Sequence, residues 1–391
     1  MPEKHLLNVH KNSKTGKVAV LRENNILVSG VGTFLPGEPI PFDKISSVLG
    51  ELQDAPAKIK KWIEKTTPIM KEMLGIEYYH YAIDPVTRQF TEDNITMAEK
   101  ASRIALKHAR MQPADVELIV YGAPYMFEMP SPSAKLQEVL GIDTCGELSI
   151  HSNCTSAYKS LLIAAELLSS GRYSTALVVT SNMSSSTLRA EYYNQKLVNK
   201  DELFLRWYLC DGAGAVVLKR VNEKKNGFFL EDIYMESIGG KKPSGMYMRY
   251  PSHYMSPLDI FNNGYHHLVQ AFQDELGRNF FEDGKTVFYK GLCRMVDKFK
   301  IKPDEISYFL INMPTKHVVD LIVEECSSLG VNSNRIFSSI NKSGYAGPPA
   351  AIISLDGLLQ QKKFRDQDLI VSFVSEVSKF LQAGFTIRYY E

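Results

Sequence analysis

The sequence carries no excess charge of either sign: 45 Lys and Arg stand against 44 Asp and Glu in 391 residues. Without a surplus of positive charge there is no bulk attraction for nucleic acid or an anionic membrane, so neither is expected as a partner. Cysteine pairs are missing as well. The five thiols, Cys145, Cys154, Cys210, Cys293 and Cys326, are dispersed, odd in number and without a CxxC spacing. That pattern argues against a disulfide scaffold and against a zinc site, and it suits a reducing, cytoplasmic compartment. No apolar run approaches the roughly 20 residues needed to cross a bilayer. Residues 1–17 carry Lys and His without the apolar centre of a signal peptide. A soluble protein is expected.

What is present is a chain with 44% hydrophobic residues, enough to bury a large core as two domains or one fused double unit. Apolar segments of strand length alternate with segments of helical spacing, the pattern of a layered α/β fold. Strands are expected at Ile26 to Gly32, Leu118 to Gly122, Ala176 to Thr180 and Cys210 to Leu218. In the second half they are expected at residues 228–230, 308–311, 369–374 and 385–389. Helices are expected at 46–73, broken by Pro56 and Pro68, then at 96–106 with Asn94 as cap, and at 134–140. Further helices are expected at 266–276, 286–300, 318–329 and 350–359. A charged stretch ending in Gly227 marks the midpoint. The chain therefore divides into a polar leader (1–25), an N-terminal half (26–222) and a C-terminal half (223–391).

One stretch organises the rest. Glu147 to His151 alternates like a strand, Ser152-Asn153-Cys154-Thr155-Ser156 is small and polar, and Leu161 to Leu168 has helical spacing. Cys154 thus falls where a strand turns into a helix N-terminus. There the unpaired N–H groups and the dipole favour a thiolate, the form that attacks a thioester. A small apolar Cys filling a helix–sheet seam is the alternative.

The neighbouring motifs weigh against that alternative. The Cys154 unit, the turn Asp211-Gly212-Ala213-Gly214-Ala215, the opening Gly30-Val31-Gly32 with Leu35-Pro36, and Leu140-Gly141-Ile142 occur together. As a set they resemble the thiolase-fold condensing enzymes, and among these ketoacyl-ACP synthase III and its relatives. The spacing holds from about Ile26 to Tyr389, with 181–201 and 239–262 as insertions. The resemblance implies a five-layered αβαβα fold of two pseudo-repeated halves, a homodimer, and ping-pong acyl transfer through a thioester on Cys154. It implies no cofactor and no metal.

Several positions depart from the family. Where relatives keep a His this chain has Asn312, and where they keep an Asn it has Tyr345. Both can donate hydrogen bonds, but neither replaces an imidazole that takes a proton near neutral pH. Decarboxylation of a malonyl donor, which that pair supports in relatives, is therefore in doubt. The glycine-rich pocket loop reads Ser375-Glu376-Val377-Ser378-Lys379, with Ser378 and Lys379 at the oxyanion position. A backbone N–H would suffice for that role. The olefin-biosynthesis branch uses a Glu upstream of the nucleophile as base, and Glu128 matches its spacing. Its neighbours Met126, Phe127 and Met129 would desolvate it, and Phe127 and Met129 are expected to line the acyl pocket together with Met246 and Met248. A solvent-facing Glu128 and an ordinary packing role for the apolar residues are the alternatives. His151 is expected to be structural or at a dimer interface. His317 opens the helix after Pro314 and is placed either on its surface or bent back into the cleft.

Relatives that use acyl-CoA carry a Trp and an Arg near the position of Gly75, where this chain has Ile69 and Met73. An acyl thioester on a carrier protein is accordingly expected over free CoA. Two functions remain open. One is an acyltransferase that passes an acyl group from Cys154 to a carbon, oxygen or nitrogen acceptor. The other is a non-catalytic or half-active partner of a related ketosynthase-like subunit.

Overall fold

The computed structural model describes residues 25–124, 128–251, 253–271 and 277–391. Ten strands form its main sheet. In chain order they are β1 (Asn25–Phe34), β2 (Leu118–Ala123), β3 (Gly146–His151), β4 (Thr175–Met183), β5 (Asp211–Val221), β6 (Gly227–Ser237), β7 (Ile306–Ile311), β8 (Ile336–Phe337), β9 (Leu369–Glu376) and β10 (Leu381–Tyr390). Their spatial order is β8-β7-β9-β10-β6-β1-β5-β4-β2-β3.

This order is one five-strand unit used twice. From the centre outward the first half runs β1-β5-β4-β2-β3 and the second β6-β10-β9-β7-β8. Pairing directions also correspond. The two inner contacts of each half are antiparallel and the two outer ones parallel. The halves join where Ile26, Leu27 and Val28 of β1 face Leu230, Phe229 and Phe228 of β6.

Among the described residues seven helices have eight or more residues: α1 (Ala57–Leu74), α2 (Asn94–His108), α3 (Pro132–Leu140), α4 (Ser156–Ser169), α5 (Val287–Phe299), α6 (Lys316–Leu329) and α7 (Ala350–Gln361). Ala157, Tyr158, Leu161 and Leu168 of α4 share a core with Ile352, Leu355 and Leu358 of α7 and with strand residues of both halves. These two helices therefore form a middle layer. Helices α2 and α3 pack on the outer face of the first half, α5 and α6 on that of the second. The result is the five-layered α/β arrangement of helices, sheet, helices, sheet, helices.

Strand β1 can lie against α2 only because it lacks side chains at two positions. A Cβ on Gly30 would meet the Ala105 carbonyl oxygen at 2.2 Å, and one on Gly32 would meet the Ala105 nitrogen at 2.3 Å. The start of α2 differs from expectation: Asp93, not Asn94, caps it, accepting from Ile95 and Thr96 N–H while Thr96 Oγ1 accepts from Asp93 N–H. Pro56 does precede α1, but Pro68 lies inside that helix without ending it. Residues 266–271 are not helical. Leu268–Gln270 pairs antiparallel with Met246–Met248, since the available partner strand outweighs local helical spacing.

Candidate active site

The turn after β3 is closed by a hydrogen bond from Ser156 N–H to the Asn153 carbonyl (2.8 Å), which puts Cys154 at a corner facing inward. Helix α4 begins at Ser156 with Thr155 as its cap. The Cys154 side chain forms part of the wall of a cavity of about 240 Å³.

That wall is almost entirely apolar. Met70 and Met73 come from α1, Leu205, Tyr208 and Leu209 from the segment after β4, and Met246 from the short strand that pairs with Leu268–Gln270. Thr315, His317 and Val318 close one side at the first turn of α6. Tyr345 supplies the polar contact: its hydroxyl donates to Cys154 Sγ over 3.0 Å. Gly344, at φ +70°, makes the turn that aims it, and a Cβ there would lie 2.6 Å from Cys210 Sγ. The Tyr345 carbonyl is in turn held by Cys210 N–H at 3.1 Å.

Burial shapes the protonation of both partners. The Cys154 thiol is pushed up to about 12, chiefly by burial and then by the carboxylate of Glu376, against the hydrogen bond from Tyr345. Burial also holds the Tyr345 phenol well above its usual value, so that it stays a donor. The thiolate expected from the helix dipole is not the resting form. A carboxylate occupies the positive end of α4 instead. Glu376, the last residue of β9, is 1% exposed and accepts from Thr155 N–H (2.9 Å), Thr155 Oγ1 (2.6 Å) and Ser152 Oγ (3.2 Å).

Of the two segments read as insertions, the second contributes Met246 to the cap of the cavity, and the first leads into Leu205, Tyr208 and Leu209 of its wall. Asp211, buried with its carboxyl pushed up to about 6 by burial, fixes the start of the first by accepting from Ser185 N–H (2.8 Å), Ser185 Oγ (2.5 Å) and Ala82 N–H (2.7 Å). Glu202 ties the first segment to the second, accepting from Arg249 Nη1 (2.6 Å) and His267 Nδ1 (3.0 Å). His267 Nε2 accepts from Asn194 N–H at 3.0 Å, which leaves Nδ1 as the donor toward Glu202. Burial of Glu202 raises its carboxyl, but the hydrogen bonds from His267 and Arg249 outweigh this and hold it below the usual range.

Comparison with known proteins agrees with this architecture. Residues 148–237 match the family model for 3-oxoacyl-[acyl-carrier-protein] synthase III. The β-ketoacyl-[acyl-carrier-protein] synthase III of Staphylococcus aureus is 24% identical over 320 residues, covering 81% of this chain and 88% of the relative. Among solved structures, that of 3-oxoacyl-[acyl-carrier-protein] synthase III from Aquifex aeolicus superposes with a TM-score of 0.69 at 19% identity, covering 94% of this chain and 100% of the other. The chain is ketoacyl-ACP synthase III-like and has the thiolase fold. The tetronic acid condensing enzyme AbyA1 superposes with a TM-score of 0.75 at 19% identity over 93% of this chain and 99% of the other. Xanthomonas campestris OleA, solved with lauric acid and lauroyl-CoA, gives 0.70 at 15% identity over 93% and 99%.

Within this synthase III-like chain the other expected site residues are scattered. Glu128 is exposed and pairs with Lys135 Nζ at 2.5 Å. Met129 is 95% exposed and lines no part of the cavity. Phe127 lies outside the described residues. Asn312 is buried beside the Tyr158 hydroxyl, its carboxamide without a hydrogen bond of ordinary geometry, and the cavity wall is formed by its neighbour Met313. Ser378 and Lys379 sit in the turn beyond β9 and point elsewhere: Ser378 Oγ donates to Glu376 and Lys379 Nζ to the Lys242 carbonyl. From that loop Ser375 and Val377 reach the cavity. Met246 is on the wall, and Met248 packs against the adjacent core. His151 is exposed, whereas His317 stands at the cavity wall.

Sequence reasoning passed over Glu376 and the Glu202 cluster. In the sequence Glu376 is one acid in a polar loop, 221 positions from Thr155. The only available signal was that a charged residue stands where relatives carry glycine.

Proposed function

We propose that the chain is an acyltransferase that takes an acyl group from a thioester onto Cys154 and hands it to an acceptor without decarboxylating a malonyl unit. The observation that carries this is the 3.0 Å contact of the Tyr345 hydroxyl with Cys154 Sγ at an apolar cavity. Loading forms the Sγ–carbonyl carbon bond and breaks the carbonyl carbon–sulfur bond of the donor. The proton leaves Cys154 and ends on the departing thiol. The Tyr345 hydroxyl steadies the sulfur while it carries negative charge. An apolar cavity walled by several methionines suits an alkyl chain and adapts to its length.

His317, on the first turn of α6, is the sole imidazole among the described wall residues, and the hydrogen bond to the sulfur comes from Tyr345 instead. An acceptor that arrives as a carbon, oxygen or nitrogen nucleophile fits this better than an enolate generated in place. Ile69, 62% exposed, and Met73 supply neither a stacking ring nor a phosphate partner, which supports a carrier protein as donor. Strand β3 ends the ten-strand sheet, and its outer edge has no strand partner among the described residues. Leu148 on it is 38% exposed, which supports pairing with a second copy or a related subunit there.

Intact-mass spectrometry after incubation with lauroyl-CoA and with lauroyl carrier protein tests the reading. A lauroyl adduct that disappears in Cys154→Ala is expected. The second reading, a half-active partner subunit, draws on the raised thiol and the hidden Asn312. A wild type that gains no mass from either donor would favour it.

A further inference from the structure

We propose that Glu376 is a positioning residue that pins the nucleophile turn to the C-terminal half and holds Cys154 as a thiol until a donor thioester is bound. This rests on the acyltransferase reading for its purpose, but not for its geometry.

Glu376 is separated from the substrate. Ser375 and Val377 on either side of it reach the cavity, but Glu376 is not among the wall residues, and its carboxylate is turned to the start of α4. There it meets four donors: Thr155 N–H, Thr155 Oγ1, Ser152 Oγ and Ser378 Oγ. With its oxygens engaged and no place on the cavity wall, Glu376 cannot reach a substrate proton. What it can do is compensate the N-terminus of α4. A carboxylate there takes up the partial positive charge that would otherwise stabilise a thiolate one residue away. It adds its own negative charge beside the sulfur.

The remaining groups around the pair do not cancel that effect. Tyr345, Tyr158 and Tyr208 are buried neutral phenols near Cys154. Lys159 is the nearby cation. Its hydrogen bond goes to Ser152 Oγ, at 2.8 Å, and so to a member of the Glu376 network. His317 lines the same cavity from the first turn of α6. A thiol at rest resists oxidation and indiscriminate alkylation, and a nucleophile of this kind is discharged only where Tyr345 can support the developing charge.

Iodoacetamide alkylation of Cys154, followed by peptide mass spectrometry from pH 6.5 to 10, tests the inference without any acyl donor. In the wild type the rate is expected to keep rising beyond pH 9. In Glu376→Gln, which preserves shape and most hydrogen bonds, it should be at least tenfold faster at pH 8, with the profile displaced by a unit or more toward lower pH. Glu376→Asp, which retains the charge, should stay near the wild-type profile. A purely structural role would lower the melting temperature of Glu376→Gln and leave the profile in place, and superimposable profiles overturn the inference. Should Glu376→Gln not fold, a wild-type profile that levels off below pH 8 overturns it equally. Failure of acyl loading alongside a shifted alkylation profile would remove the acyltransferase reading and leave the role of Glu376 standing.

Discussion

At the scale of single residues the site is a contest over one sulfur. Burial and a carboxylate disfavour its anion, and a phenol favours it. Tyr345→Phe removes the favourable partner while keeping the ring that packs the cavity. A lost hydrogen bond to a charged group is worth about 1.5–3 kcal/mol, so acyl loading of Cys154 is expected to slow by about 10- to 100-fold. A time course of adduct formation by intact mass checks this, with cavity packing judged by an unchanged melting temperature. The Cys154 position could be recognised in the sequence because a strand, a run of small residues and a helix lie in one contiguous stretch. Tyr345 could be singled out only through its place in a family pattern, and Glu376 only as a charge where relatives carry glycine, with no hint of its role. Its effect comes from a contact between β9 and the turn before α4, and nothing local in Ser375-Glu376-Val377 signals that Thr155 will be its neighbour.

At the scale of elements, two fits decide where the site sits. The first is the approach of β1 to α2. Gly32→Ala would force a methyl group to within 2.3 Å of the Ala105 nitrogen, so the helix must move off the strand. We expect a loss of about 3 kcal/mol or more in unfolding free energy, measured by urea denaturation, and accelerated hydrogen exchange in α2. The glycines of β1 announce a close approach in sequence, though not which helix makes it.

The second fit is the cap, where Glu202 joins segments that are 47 and 65 residues apart from it in sequence. Glu202→Ala leaves the buried His267 N–H without its acceptor, while the exposed Arg249 guanidinium turns to solvent, a change that typically costs about 1–3 kcal/mol. Hydrogen exchange should accelerate across 184–210 and 246–271 and remain at wild-type rates in β1, β4 and β5. Here the sequence was least informative. The spacing of residues 266–276 resembled a helix, and the pairing of Leu268–Gln270 with Met246–Met248 is a tertiary choice that no local pattern encodes.

At the scale of the whole molecule an α/β chain in two halves was readable, because alternation of apolar strands and helices is a short-range signal, whereas the doubling came from the family resemblance and the two-residue strand β8 carries no pattern of its own. The spatial order of the strands was not readable, since it depends on crossovers between distant segments. The fold also gives the molecule a characteristic alkaline weakness. Burial raises the thiols of Cys154, Cys210 and Cys326 above their ordinary range. Above pH 9 the unfolded chain releases these protons and the folded one retains them, so stability must fall as pH rises. Each thiol contributes up to about 1.4 kcal/mol per pH unit. Urea midpoints should decline from pH 8 to pH 10, and Cys154→Ala should decline less steeply.

The doubled frame carries the sulfur, and the linking segments supply part of the wall a guest would touch, with Leu205, Tyr208, Leu209, Met246 and Gln270. Mutations in 184–210 or 246–271 can reshape the chamber without disturbing strand order, while a change of guest needs no change of nucleophile. A chamber wall carried in part on such segments lets the range of guests change while the corner that holds the sulfur stays as it is.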